Sequence, residues 1–190
     1  MEDLKRKIDF CLEVEKMNSV FRKTRLLDST RFENDAEHSF HVALMAVVLS
    51  DYADEEIDIS RVVKMLLLHD LAEIYAGDTF AYDEEGKKTQ KDREKKAADK
   101  LFSILPEKEA KEFKNIFFEF NEMTSADSIF ANAIDRLQPM LLNYFSGGGS
   151  WKEHRISKQE VLNRLGPLSK SSKTLYEYMF NLITNFFGED

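Results

Sequence analysis

The chain is short of several things, and each shortage excludes something. Its 190 residues include one cysteine, Cys11, which excludes an intramolecular disulfide and a cysteine-rich zinc site. A single thiol fits a reducing, cytoplasmic setting. Only 3 prolines and 7 glycines punctuate the sequence, too few for the many turns of a β-sandwich. Positive charge is outweighed, with 27 Lys and Arg against 35 Asp and Glu. The formal charge of -8 argues against broad attraction to a nucleic-acid polymer or an anionic membrane, and leaves room for a local basic pocket. No apolar run is long enough to span a bilayer, and the opening MEDLKRKIDF is charged throughout, unlike a secretory leader.

What is present suits a soluble, largely helical protein forming one domain over residues 1–190. Hydrophobic residues make up 43% and include 15 Phe, enough for a sizeable core. Leu4, Ile8, Cys11, Leu12 and Val14 recur at roughly helical spacing over residues 3–17. The segment MNSVFRKTRLLDSTRFEND then loses periodicity and reads as a connection crossing the body of the protein, with Phe21 packing. A second helix is expected from about Ala36 to Ala53, and a third from an N-cap at Ser60 to about Tyr75, broken by Gly77. KKTQKDREKKAADKLFSIL reads as an exposed helix whose end docks on the core. Pro106 suits the first turn of the next helix, which runs toward Phe120. Another runs from about Ser125 to Phe145 with a kink at Pro139. GGGS at 147–150 is a loop, Ser157 and Glu160 have capping-box spacing, and LYEYMFNLITNFF closes the chain.

The segment LLLHDLAEIYAGD departs from an ordinary buried helix, because His69, Asp70, Glu73 and Asp78 fall where the pattern predicts an interior. Adjacent helical residues point about 100° apart, so His69 and Asp70 reach one point only near a helix end or beside a groove. Burying such groups without partners costs roughly 2–7 kcal/mol for each polar group and more for a charge. A divalent cation is the simplest compensation. His38 and Asp135, each in an apolar helical segment, would complete a site of two imidazoles and two carboxylates that suits Mn, Fe, Co, Ni or Zn. On composition alone His41 competes with His38, and Asp135 beside Arg136 also fits a helix-surface ion pair.

The order His38, His69-Asp70, Asp135 resembles the H…HD…D signature of the HD-domain metal-dependent phosphohydrolases. The surrounding AEHSFHVALMA, LLLHDLAEIYAGDTFAYD and FANAIDRLQPMLLNY resemble the branch that contains the bacterial 5′-deoxynucleotidases and related HD hydrolases. The likeness runs from about Phe21 to Leu168. It implies an all-α, bundle-like HD domain with the terminal helices packed on that core, and a homodimer. It also implies one divalent transition metal per chain, held by His38, His69, Asp70 and Asp135. Glu73 would activate the attacking water, Asp78 would serve the leaving group, and Arg22 would bind the substrate phosphate, with Lys23 in that place if the register slips by one. The implied substrate is a small phosphorylated metabolite, a nucleoside 5′-monophosphate foremost. A signalling nucleotide with a pyrophosphate or cyclic diester is the alternative, as is a non-catalytic, metal-stabilised interaction protein.

Two departures bear on selectivity. The nucleotidases carry a Trp beside or just after their arginine, where FRKTR has Lys23, Thr24 and Arg25, and they follow Gly-Asp with a Pro-containing turn where this chain has TFAYDEEG. His154 is a further candidate substrate contact and Trp151 a candidate pocket wall, with a surface His and a loop-packing Trp as the alternatives. Phe117, Phe118, Phe120, Phe186 and Phe187 suit either a dimer face or a protomer core.

Overall fold

The computed structural model describes residues 1–188. Helix α1 (Glu2–Val14) tightens into a 3-10 turn over Glu15–Ser19. Its Phe10 packs on Phe102 and Phe113, with ring centroids 6.3 and 5.9 Å apart, while Leu4, Ile8 and Leu12 face solvent. The stretch expected to be an irregular connection is a hairpin. Strand β1 (Phe21–Arg25) runs antiparallel to β2 (Phe32–Asn34), pairing Phe21 with Asn34 and Arg25 with Phe32. Asp28 shapes the turn, its carboxylate accepting from the Thr30 amide at 3.0 Å. Phe21 does not pack as expected; it is 55% exposed, because the strand turns Thr24 inward instead.

Helix α2 (Asp35–Leu49) is capped reciprocally by Asn34 and Glu37 and passes at Ser50 into a 3-10 turn, short of the expected Ala53. Helix α3 (Ile59–Leu68) starts one residue before Ser60, because the Asp58 carboxylate accepts from the Ser60 and Arg61 amides at 2.9 and 3.2 Å. It stops at Leu68, and a separate turn, α4 (Glu73–Ala76), follows. Gly77 then leaves the helix at φ 74°, a backbone angle that favours glycine.

Helix α5 (Glu84–Phe102) begins on an Asp83 cap and buries only its end, Ala97, Ala98, Leu101 and Phe102. Pro106 caps α6 (Glu107–Glu122) instead of sitting in its first turn. Helix α7 (Ala126–Phe145) starts on a Ser125 cap and continues through Pro139 as one helix. Proline has no amide hydrogen, so the Asp135 carbonyl loses its helical partner there. Helices α8 (Gly149–Glu153), α9 (Lys158–Leu162), α10 (Gly166–Ser171) and α11 (Lys173–Phe187) complete the described chain. The capping box of Ser157 and Glu160 forms as its spacing predicted.

The architecture is all-α with one small two-stranded sheet. Helices α2, α3 and α7 pack on one another, and Val42, Ala46, Val62, Met65, Leu66 and Ile134 between them have no exposed surface. Each buried side chain of Leu, Ile, Val or Met size contributes roughly 1.5–3 kcal/mol, and that total holds these helices rigid. Phe117 and Phe120 are buried in the same cluster, Phe118 leans on Phe117, and Phe186 and Phe187 cover Trp151. All five therefore take part in the protomer's own packing. Among the described residues no helix is long and apolar enough to cross a membrane.

Candidate metal centre

An unbroken helix over residues 60–75 would splay His69 and Asp70 apart. Instead the chain leaves α3 after Leu68 and turns with amide bonds that reach back three residues. Leu71 donates to the Leu68 carbonyl at 3.3 Å and Glu73 to the Asp70 carbonyl at 2.9 Å. Three-residue turns eclipse side chains three apart, so Asp70 and Glu73 share a side. His69 and Asp70 then converge, with His69 Nε2 3.0 Å from Asp70 Oδ2.

Two other helices meet that point. His38, in the first turn of α2, brings Nε2 to 3.0 Å from Asp135 Oδ1 on α7, and His69 Nε2 lies 3.4 Å from the same oxygen. Asp70 Oδ2 is 3.8 Å from His38 Nε2. The far nitrogen of each ring is already committed. His69 Nδ1 donates to the Leu66 carbonyl at 2.7 Å, and His38 Nδ1 donates to Gln138 Oε1 at 3.1 Å. Gln138 is held in turn by Glu33, accepting its Nε2 at 2.6 Å. Both imidazoles therefore turn an Nε2 lone pair toward carboxylate oxygens, an arrangement that is repulsive until positive charge sits among them. His69 Nε2 is buried without a hydrogen bond. This donor set fits a divalent transition metal.

The electrostatics carry the same demand. Burial alone would lower His69, but the charges of Asp70 and Asp135 beside it push it up to about 10. His38 is also raised, as its bonds to Asp135 and Glu33 overcome burial and the charge of Arg22. Burial would raise Asp135 and Asp70, yet the two imidazoles hold Asp135 well below the carboxylate range, and His69 with Arg22 does the same for Asp70.

A second acidic group adjoins the first. Asp35, Glu73 and Asp78 bring carboxylate oxygens within 4.8 Å of one another. Burial and the charge of Asp70 raise Glu73 well above its ordinary value and Asp35 to about 7, and burial raises Asp78. Arg22 enters from the hairpin, donating to Asp70 Oδ2 at 2.6 Å and reaching Asp35 Oδ1 at 3.5 Å and Glu33 Oε2 at 3.9 Å. Sequence reasoning missed Asp35, Glu33 and Gln138. The only signal was RFEND running straight into AEHSF, an acid on each side of the Asn34 cap.

His69, Asp70, Glu73, Asp78, Asp135 and Arg22 all line one cavity of about 280 Å³. His38 lies beneath it, fully buried. Lys23 lines the cavity too, but Arg22 makes the contacts with the acids. His41 stays outside the cluster, its Nδ1 3.2 Å from Gln138 Nε2. Trp151 is both buried and a cavity wall. His154 is not brought to the cavity. It is exposed, and its ring packs 4.6 Å from Phe80, which does line it. Arg93 pins the turn that carries Asp78, donating to the Ala76 carbonyl at 2.5 Å and to Thr79 Oγ1 at 2.7 Å.

A helical fold with two imidazoles and two carboxylates converging from three helices defines a class of metal-site proteins. The family follows from comparison, since the model of the HD domain matches residues 14–176. The chain belongs to the HD-domain family. It is similar to a protein of Magnetospirillum magnetotacticum MS-1, a predicted metal-dependent phosphohydrolase of known crystal structure. The two share 42% identity and a TM-score of 0.93 over 98% of this chain and 96% of that one. It is also similar to the 5′-deoxynucleotidase HDDC2 of Homo sapiens, 30% identical over 58% of this chain and 53% of that protein. The HDDC2 of Bos taurus is likewise 30% identical, over 57% and 52%. The chain thus spans about half the length of the curated relatives it matches. A conserved protein of Pyrococcus furiosus, 22% identical with a TM-score of 0.64 over 94% and 98%, shares the fold.

Proposed function

We propose that the protein is a metal-dependent phosphohydrolase that cleaves small phosphate monoesters, nucleoside 5′-monophosphates foremost. The observation that carries this reading is the pair of buried Nε2 lone pairs aimed at Asp135, with acids and an arginine at the rim of the same cavity. His38, His69, Asp70 and Asp135 would hold one divalent transition metal per chain: Mn, Co, Fe, Ni or Zn. When bound there, such an ion supplies Lewis-acid charge to a phosphoryl oxygen and to the attacking water.

The chain's own groups do the rest. Arg22 orients the phosphate through its paired N–H donors. Glu73, made more basic by burial and by Asp70, takes a proton from the attacking water as its oxygen adds to phosphorus. Asp78, raised by burial, is suited to give a proton to the ester oxygen as the P–O bond breaks. One water and one ester become one alcohol and one inorganic phosphate. FRKTR has no Trp beside Arg22 and its Phe21 faces solvent, outside the cavity lining, so discrimination between ribose and deoxyribose should be weaker than in the 5′-deoxynucleotidases.

A homodimer is part of this proposal. Phe40, Leu44, Val47 and Val48 form an exposed apolar stripe along α2, at helical spacing and facing away from the cavity helices. A cytoplasmic location agrees with the single cysteine and the acidic composition. The test is phosphate release from a panel of nucleoside monophosphates and sugar phosphates with Mn or Co added. No release from any of them, or undiminished release after chelation, would refute the reading.

A further inference from the structure

The wall of the cavity formed by α7 and by the 3-10 turn Asn163–Leu165 carries two guanidinium groups, Arg136 and Arg164. Both are half-buried, and among the described residues neither donates a hydrogen bond or forms an ion pair. Among the described residues the other arginines that are not exposed are engaged: Arg6 with the Ile104 carbonyl, Arg22 with Asp70, Arg25 with Glu153, Arg61 with Glu119, Arg93 with the Ala76 carbonyl. Arg136 has a carboxylate next to it in sequence, but Asp135 points the other way, toward both imidazoles. Arg136 and Arg164 are near enough for their like charges to act on each other. Two cations that repel each other in a half-buried wall, with their donors unused, are a destabilising arrangement that an anion would relieve.

The place of the pair separates it from the reacting phosphate. Successive residues on a helix diverge by about 100°, so Arg136 leaves α7 in a different direction from Asp135. Arg164 comes from a segment that supplies nothing to the His/Asp centre, and its charge reaches Tyr82 in the loop after Asp78. Arg22, by contrast, is held among Asp35 and Asp70 at the centre itself.

We propose that Arg136 and Arg164 form a second anion subsite that binds a phosphate group other than the one hydrolysed, so that a nucleoside 5′-phosphate bearing a second phosphate binds more tightly than the simple monophosphate. This rests on the phosphohydrolase reading for the identity of the first. Trp151 is the only Trp and lines the same cavity, so its fluorescence reports occupancy without turnover. The metal-loaded protein would be titrated with the non-hydrolysable 5′-methylenephosphonate of adenosine. The comparison compounds are the same analogue with an added phosphate at the 2′, the 3′ or the 5′-terminal position.

At least one doubly phosphorylated analogue should bind about tenfold tighter or more, as expected for charge-assisted bidentate contacts. Arg164→Gln should remove that advantage while leaving the single phosphonate within about twofold, and Arg136→Gln should do the same. Equal wild-type affinity for all four compounds overturns the proposal without needing any variant. Parallel loss of both ligand types in the two variants also overturns it, by assigning the pair to the first phosphate. The two readings fail separately. An affinity gap in a protein that hydrolyses nothing would remove the phosphohydrolase and keep the subsite. Turnover of monophosphates with no gap would do the reverse.

Discussion

Replacing Glu73 by Gln should cost activity and add stability, and the structure sets the size of both. Glu73 is 7% exposed, and its Oε2 is buried without a hydrogen bond. Carboxylate oxygens of Asp35 and Asp78 lie within 4.8 Å of its own. Two unit charges at that separation repel by about 3.5 kcal/mol at an effective dielectric of about 20. Arg22, whose own charge is reinforced by Asp70, Glu73 and Asp78 against burial, offsets much of this. A net gain of about 0.5–2 kcal/mol is the expected remainder, in line with the usual yield of relieving a strained functional site. For a chain of this size that is a rise in Tm of about 1–8 °C. Gln keeps the shape but cannot accept the proton of water, so kcat should fall about 10²–10⁴-fold. Thermal melts, metal analysis and phosphate release on the same samples decide it. Lost metal, or a lower Tm together with the lost activity, would make Glu73 a ligand or a structural prop and refute the reasoning.

Purified protein should carry about one transition metal per chain on the two-His, two-carboxylate reading. His69→Ala and Asp70→Ala should empty it while His41→Ala should not, and full retention in the first two variants would sink the ligand assignment. Arg22→Ala should lower kcat/KM on a phosphomonoester with metal content unchanged, and Arg22→Lys should recover only part, since it restores charge but not the fork. Equal kcat/KM in all three proteins would remove Arg22 from the site. Gln138→Leu frees His38 Nδ1 and should weaken metal affinity about 10–100-fold, the usual effect of losing a partner behind a ligand. Phe40→Glu should shift light scattering from dimer to monomer with no change in Tm beyond that of dissociation. An unchanged mass would move the interface off α2.

Much of this was legible because apolar periodicity and chemistry pointed to the same segments. Val62, Met65 and Leu66 mark α3 as buried, which is what makes His69 and Asp70 conspicuous, and Ile134 and Leu137 do the same for Asp135. The hairpin was not legible. FRKTR is short and mostly charged, and its pairing depends on a turn at Asp28–Thr30 that periodicity does not register. Asp35 and Glu33 were hidden for the same reason, since they become buried only when that hairpin folds against the start of α2. The end of α3 at Leu68 carries no Gly or Pro signal. It comes from packing, as His69 Nδ1 turns back to the Leu66 carbonyl and the next amides shorten their reach.

That break is where fold and chemistry meet. A continuous helix would satisfy more backbone bonds of regular length, yet it would send one of His69 and Asp70 away from His38 and Asp135. The chain gives up helical regularity over residues 69–72 and gains a point where side chains from three helices converge. The cost is tolerable because Val62, Met65 and Leu66 directly before it, and Leu71 and Ala72 within it, are almost wholly buried and fix the turn from behind. Acids then accumulate in front of it, on the cavity side, against a single inward arginine from the hairpin. Stability is therefore concentrated in the helices behind the site and lacking within it. Substitutions that neutralise Glu73 should stabilise the fold as they disable it, whereas truncation of Leu66 or Ile134 should destabilise it by about 2–5 kcal/mol and take the site's geometry with it.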